Sequence, residues 1–119
     1  MFLSLLKSKL HHVRVTGAEL EYEGSLSLDR GLMDAVGLLP NEKLLVANLE
    51  NASRFETYAI EAPRGSGVCR LNGATAHLGK VGDRLIVMSF CWVAPEEAEA
   101  HVPRVVRLDA ENRVVGPAC

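Results

Sequence analysis

The sequence predicts a mainly β chain, folded as a compact barrel that carries short helices. Short segments with apolar side chains at alternate positions recur along it, which is the period of a half-buried strand. Turn signals rich in Gly, Asn and Pro separate these segments. Helical spacing of apolar residues occurs in only one or two brief stretches, too few to supply the crossover helices of a parallel α/β sheet. A two-sheet sandwich is the competing architecture, and periodicity alone does not separate it from a barrel.

"KLHHVRVTGAEL" alternates through Val13 and Val15 and reads as a half-buried strand, with Lys9 and His11 on one face and His12 on the other. The preceding "FLSLLK" fits strand or helix. "LDRGLMDAVGLLP" has the marks of a short helix: Asp29 can cap it, Leu32, Met33 and Val36 share a face, and Gly37 with Pro40 ends it. "KLLVANLE" and "RFETYAI" are strands joined by "NAS" as a hairpin. In the second, alternation sets Arg54, Glu56 and Tyr58 against Phe55 and Thr57. "PRGSG" is a turn and "VCRL" a short strand; Asn72-Gly73 then signals a turn opening one helical turn in "NGATAHLG". "DRLIVMSFCWV" is the most apolar run, expected to be the most buried strand. Beyond Pro95 the chain is more charged, with weak strands near "VVRL" and "RVVG".

At 119 residues the chain is one domain, long enough for its own core. Thirteen Lys plus Arg against 15 Asp plus Glu, with six aromatics, argue against a nucleic-acid surface. The apolar start "MFLSLL" meets Lys7 and Lys9 too soon for a signal-peptide core or a bilayer span, so no membrane partner and a cytoplasmic location are expected. Cys69, Cys91 and Cys119 are odd in number and lack CxxC spacing, which argues against a disulfide framework and a zinc site; no metal is expected.

The chemical question lies in "ELEYEGSLSLD", where Gly24-Ser25 follows an acidic run. A Ser after Gly is most often a turn residue, and no G-x-S-x-G elbow surrounds this one. The alternative is attack by the Ser25 hydroxyl on the Gly24 carbonyl, an N-to-O acyl shift, with Gly24 tolerating unusual backbone angles. Peptide twist of about 12° stores only about 1 kcal/mol, whereas holding the hydroxyl in attack geometry supplies roughly 7–11 kcal/mol. Positioning therefore dominates, and the fold must grip both sides of the bond. Lys9, His11 and His12 are otherwise a solvated edge, or Lys9 is a cation for a substrate carboxylate with His11 nearby. Arg54 can hold a carboxylate through paired hydrogen bonds, and Tyr58 can donate a proton to a carbanion; a plain amphipathic strand is the bland reading of both. Gly73 can offer backbone N–H groups to an oxyanion or simply make a hairpin.

Together "KLH" at 9–11, "YEGS" at 22–25, "LMDAVGLLPNEK" at 32–43, "RFETYAIEAPRGSG" at 54–67, "LNGATA" at 71–76 and "VGDRLIVMSF" at 81–90 resemble the aspartate 1-decarboxylases, pyruvoyl-dependent enzymes that make β-alanine for pantothenate. The motif resemblance spans residues 1–94, in order and spacing; the tail 95–119 is matched weakly and is assigned no chemistry. It implies a double-psi β-barrel, a homotetramer with sites between subunits, and self-cleavage between Gly24 and Ser25. It also implies that Ser25 becomes a covalent pyruvoyl group, the only cofactor, and that the substrate is L-aspartate. By matching position, Lys9 and Arg54 would hold substrate carboxylates and Tyr58 would donate the catalytic proton. Thr57 would assist self-cleavage and contact substrate, and Asn72, Gly73 and Ala74 would line the site. Position 47 is Ala47, where members often carry Trp beside the pocket. Need for an accessory maturation protein is left open. Two rivals stand beside this reading: a barrel that is never cleaved, and an enzyme using Lys9 as the amine nucleophile.

Overall fold

The computed structural model describes residues 1–117; Cys119 lies outside the described residues. The chain runs β1 (Leu3–Arg14), β2 (Gly17–Glu19), β3 (Ser25–Asp29), α1 (Arg30–Val36), β4 (Lys43–Asn48) and β5 (Arg54–Ala62). It continues through β6 (Cys69–Asn72), a 3-10 turn (Gly73–Leu78), β7 (Arg84–Val93), α2 (Pro95–Ala98), β8 (Arg104–Leu108) and β9 (Val114–Pro117). The mainly β expectation holds, and "FLSLLK" resolves as strand.

The strands lie in the order β2-β6-β3-β5-β4-β7-β1-β8-β9. Only Val15 and Thr16 separate β1 from β2, and their N–H groups donate to Asp83 O at 2.9 Å and Cys69 O at 2.7 Å. The sheet therefore closes on itself through β1 and its continuation β2, which removes the exposed edges that a sandwich would leave. Parallel pairing of β3 with β5 and of β2 with β6 alternates with antiparallel pairs, the mixed pattern of a double-psi barrel. Leu10, Val13, Leu26, Leu28, Leu44, Val46, Ala59, Leu71, Leu85 and Val87 fill the interior, and α1 adds Leu32, Met33 and Val36.

Three elements depart from the sequence reading. "DRLIVMSFCWV" is not the most buried strand: β7 alternates, leaving Phe90 45% and Trp92 76% exposed. As a barrel wall it buries one face only. The fully buried strand is β3, every residue of which is covered; its short polar sequence gave no such signal. His12 does not face away from His11. A register shift between His11 and Val13 makes His12 the extra residue of a bulge, and the two imidazole rings lie 3.8 Å apart. Beyond Pro95, α2 is an addition, and the weak strands are real. β8 pairs in parallel with β1, and Arg104 donates from Nη2 to the carbonyl oxygens of Asp34 and Ala35, 3.1 Å each, at the end of α1.

The Asp29 cap forms as expected. Its Oδ1 accepts from Gly31 N at 2.7 Å and from Gly65 N at 2.9 Å, while Oδ2 accepts from Gly67 N at 2.9 Å. Gly37 ends α1 in the left-handed region, φ +77°, where glycine avoids the Cβ penalty. Burial alone would raise the Asp29 carboxyl, but the N–H groups of Gly67, Gly65, Gly31 and Leu32 outweigh it and hold the group below its ordinary value. The stabilisation is thus present above the ordinary carboxyl value and is lost as pH falls through the depressed one. Asp29→Ala should cost about 1 kcal/mol for the cap and about 1–3 kcal/mol more for the stranded loop N–H groups. Urea unfolding at neutral pH measures this, and the difference from wild type should shrink in acid.

Candidate active site

β3 enters the barrel wall between β6 and β5, so the Gly24–Ser25 bond sits at its mouth. Leu26 and Leu28 point inward, which turns Ser25 and Ser27 to the other side of the strand. That side is covered as well: Ser25 is 0% exposed. Ser25 is the register partner of Asn72 on β6, and Ser27 that of Arg70. Asn72 Nδ2 donates to Ser25 Oγ at 3.0 Å and to Ser27 Oγ at 2.8 Å. The Ser25 hydroxyl itself donates to Glu23 O at 2.9 Å.

Gly73 follows with φ +68°. A Cβ there would lie 2.7 Å from Gly24 Cα, 2.8 Å from Gly24 N and 3.0 Å from Tyr22 O. Two backbones therefore touch at the bond in question, and only glycine at 73 permits it. Ala74 is exposed beside this contact. On the other flank β3 runs parallel to β5, with Leu26 opposite Ala59. One residue back, that register sets Ser25 alongside Tyr58, which is half-buried, as is Thr57. Gly24, Ser25, Asn72 and Gly73 thus gather around one peptide bond, with Tyr58 on the neighbouring strand.

Lys9 and Arg54 do not join them within one chain. Arg54 is exposed and four residues up β5 from Tyr58, about 13 Å at ~3.3 Å per residue. Arg54, Ala47, Ile86 and His11 are successive register partners across β5, β4, β7 and β1, with Arg107 of β8 next. Register partners share a face, so this row carries Arg54, His11 and Arg107 on one outer surface, with Lys9 two residues from His11. Ala47 is a small gap in its middle. The His11 imidazole has an Nδ1 that is buried with no hydrogen-bond partner among the described residues. Its burial, then the charges of Lys9 and Arg107, push its pKa down, which favours the neutral ring.

Sequence reasoning missed Ser27 and Arg70. Both were readable in principle, since each stands two residues along a strand from a singled-out residue and so shares its face. A side chain's aim towards a distant strand, however, leaves no local mark.

Comparison with known proteins follows the same lines. The family described as Aspartate decarboxylase matches residues 1–115. The chain belongs to the aspartate decarboxylase family. The match continues past Pro95, where the motif resemblance stops. The aspartate 1-decarboxylase of Maricaulis maris (strain MCS10) is 51% identical over 115 residues, covering 97% of this chain and 95% of its own. That of Caulobacter vibrioides is 52% identical over 114 residues, covering 96% and 97%. That of Caldicellulosiruptor saccharolyticus is 48% identical over 115 residues, covering 97% and 90%. Among solved structures, the rationally designed mkDPBB_sym_86 protein aligns with a TM-score of 0.49 at 17% identity, over 65% of this chain and 90% of that one. Among the described residues of this family member, no helix is long and apolar enough to cross a membrane.

The glycine contact can be tested apart from any chemistry. Gly73→Ala should lose more than the ~1 kcal/mol of a left-handed non-glycine residue, because the new Cβ meets backbone rather than a flexible side chain. Thermal unfolding should fall by several degrees; an unchanged midpoint would mean that residues 22–24 yield freely.

Proposed function

We propose that this protein converts L-aspartate to β-alanine and CO2 in the cytoplasm, as a step of pantothenate and coenzyme A biosynthesis, after cleaving its own Gly24–Ser25 bond. The observation that carries the reading is the wholly buried Ser25 hydroxyl, held by Asn72 at 3.0 Å beside a glycine whose backbone is clamped by Gly73. Both sides of one bond are gripped, which is what a positioning mechanism needs.

In the first stage, Ser25 Oγ bonds to the Gly24 carbonyl carbon. The C–N bond breaks, and the hydroxyl proton ends on the freed Ser25 nitrogen, leaving an ester. Loss of the Ser25 Cα proton and departure of the Gly24 carboxylate then leave an unsaturated amine. Water converts that amine to a keto group and ammonia. Thr57, next to Tyr58 on the flanking strand, assists this stage.

The residues present fit a pyruvoyl group at position 25, since the Asn72 amide already offers a donor 3.0 Å from the Ser25 oxygen. When formed, that group supplies a carbonyl that condenses with the substrate amine and accepts the electron pair left by CO2. The chain's own residues do the rest. Arg54, with Lys9, holds the side-chain carboxylate of aspartate, each charged hydrogen bond contributing about 1.5–3 kcal/mol. The α-carboxylate is left without such a partner, because a salt bridge there would stabilise the ground state and slow its loss. Tyr58 delivers the proton that replaces CO2, and Asn72, Gly73 and Ala74 line the site.

The distance between the Ser25 cluster and the Lys9 and Arg54 face supports an assembly in which a neighbouring copy brings those cations, a homotetramer with sites between subunits. Exposed Phe90 and Trp92, lining a cleft of about 360 Å³ with Ser4, Lys43 and Glu56, suit burial against another copy. The rival in which Lys9 is the amine nucleophile leaves the buried Ser25–Asn72 arrangement unused. Borohydride trapping with aspartate should label the fragment that begins at residue 25, not Lys9.

Mass spectrometry of the purified protein should give pieces 1–24 and 25–119, the larger lighter by one ammonia than its Ser-started form. Conversion of isolated precursor without added protein would exclude an obligatory maturation partner. Ser25→Ala should leave one intact, inactive chain; normal turnover by it sinks the mechanism. Tyr58→Phe should still cleave but decarboxylate at least 10²-fold more slowly, and an unchanged rate would remove Tyr58 as the proton donor.

A further inference from the structure

Arg70 stands on β6, opposite Ser27 and two residues before Asn72, so it shares their face of the sheet. Its guanidinium makes no ion pair among the described residues. Instead Nε donates to Asn72 Oδ1 at 3.0 Å, and Cζ lies 5.5 Å from the centre of the Tyr22 ring, within cation–π range. Arg70 therefore touches both the amide that holds Ser25 and the segment that leads into the Gly24–Ser25 bond.

An Asn side chain can turn either its oxygen or its NH2 towards a neighbour, whereas Arg only donates. With Arg70 at 3.0 Å, the amide oxygen is committed to the guanidinium. The NH2 must then face Ser25 and Ser27, 3.0 and 2.8 Å away. Without Arg70 the amide is free to turn over and accept from the two hydroxyls. The two arrangements differ at the reacting atom. A donor at Ser25 Oγ favours negative charge there as the hydroxyl gives up its proton, and sends that proton's hydrogen bond elsewhere, here to Glu23 O at 2.9 Å. An acceptor would instead hold the proton on Oγ.

We propose that Arg70 is a positioning residue for self-cleavage, locking the Asn72 amide with its NH2 towards Ser25 while tethering the Tyr22 segment before the bond. This rests on the reading of Gly24–Ser25 as the processed bond. Arg70 takes no part in bond making; Oγ still attacks the Gly24 carbonyl carbon and the hydroxyl proton still ends on nitrogen.

The test follows release of fragment 1–24 from freshly isolated precursor by mass spectrometry. Arg70→Met keeps the aliphatic stem and removes every donor; release should slow at least tenfold. Arg70→Lys, whose head group also only donates, should recover much of the rate. A purely structural role would multiply with loss of the amide, so Arg70→Met is combined with Asn72→Ala. The double variant should be within twofold of Asn72→Ala alone, because there is no amide left to orient. Full multiplication of the two effects, or release at the wild-type rate from Arg70→Met, overturns the proposal while leaving self-cleavage standing. A wild-type precursor that never releases the fragment overturns both. Should Arg70→Met not fold, Arg70→Lys against Arg70→Gln decides, since Gln can present its oxygen to the Asn72 NH2 and reverse the amide; release from Gln as fast as from Lys overturns the assignment.

Discussion

Two backbones meet where β3 begins and β6 ends, and much of the molecule is arranged around that meeting. Gly73 approaches Gly24 closely enough that a methyl group would sit 2.7 Å from its Cα. The Ser25–Asn72 pair is the first rung of the antiparallel β3–β6 ladder. The register of that ladder is held from below by Leu26, Leu28 and Leu71 in the core. A slip of one residue would turn the leucines outward and the serines inward. The same hydrophobic pattern that fills the barrel therefore aims a hydroxyl at its own chain.

The Ser25 cluster and the cations Lys9, Arg54 and Arg107 are kept apart in the single chain. The Ser25 cluster is buried, with the Asn72 amide bonding both hydroxyls and its oxygen held by Arg70. Those three cations lie on another run of the wall, around His11. The proposed cleavage would benefit from that burial, because a hydrogen bond in a water-poor site is stronger and its geometry better defined. The two carboxylates of the proposed substrate need cations. A second copy of the barrel, as proposed above, would reconcile the two demands without rebuilding either surface.

The tail beyond Pro95 has a structural part. β8 extends the wall beside β1, Leu108 joins the core, and Arg104 caps the carbonyl end of α1. These contacts hold the helix that follows β3, and so steady the strand on which Ser25 stands. The weak apolar pattern of 104–108 understated this, since a parallel strand added at an edge needs only one or two inward side chains.

Much of the fold was legible along the chain: the Asp29 cap, the Gly37 stop, the hairpin of β4 and β5, and the facing of Arg54, Glu56 and Tyr58 all depend on neighbours within a few residues, where periodicity and turn chemistry speak directly. The sequence singled out Gly24-Ser25 and Asn72-Gly73 separately, and the structure brings the two pairs into contact. What the sequence by itself could not determine was burial that depends on distant strands, so β3 went unread and β7 was taken for the deepest strand. Nor could it reveal the bulge that turns His12 beside His11, or that Arg70 reaches across to Asn72 and Tyr22. Those were decided only when the sheet closed into a barrel, because closure alone determines which polar side chains, far apart in sequence, face each other away from water.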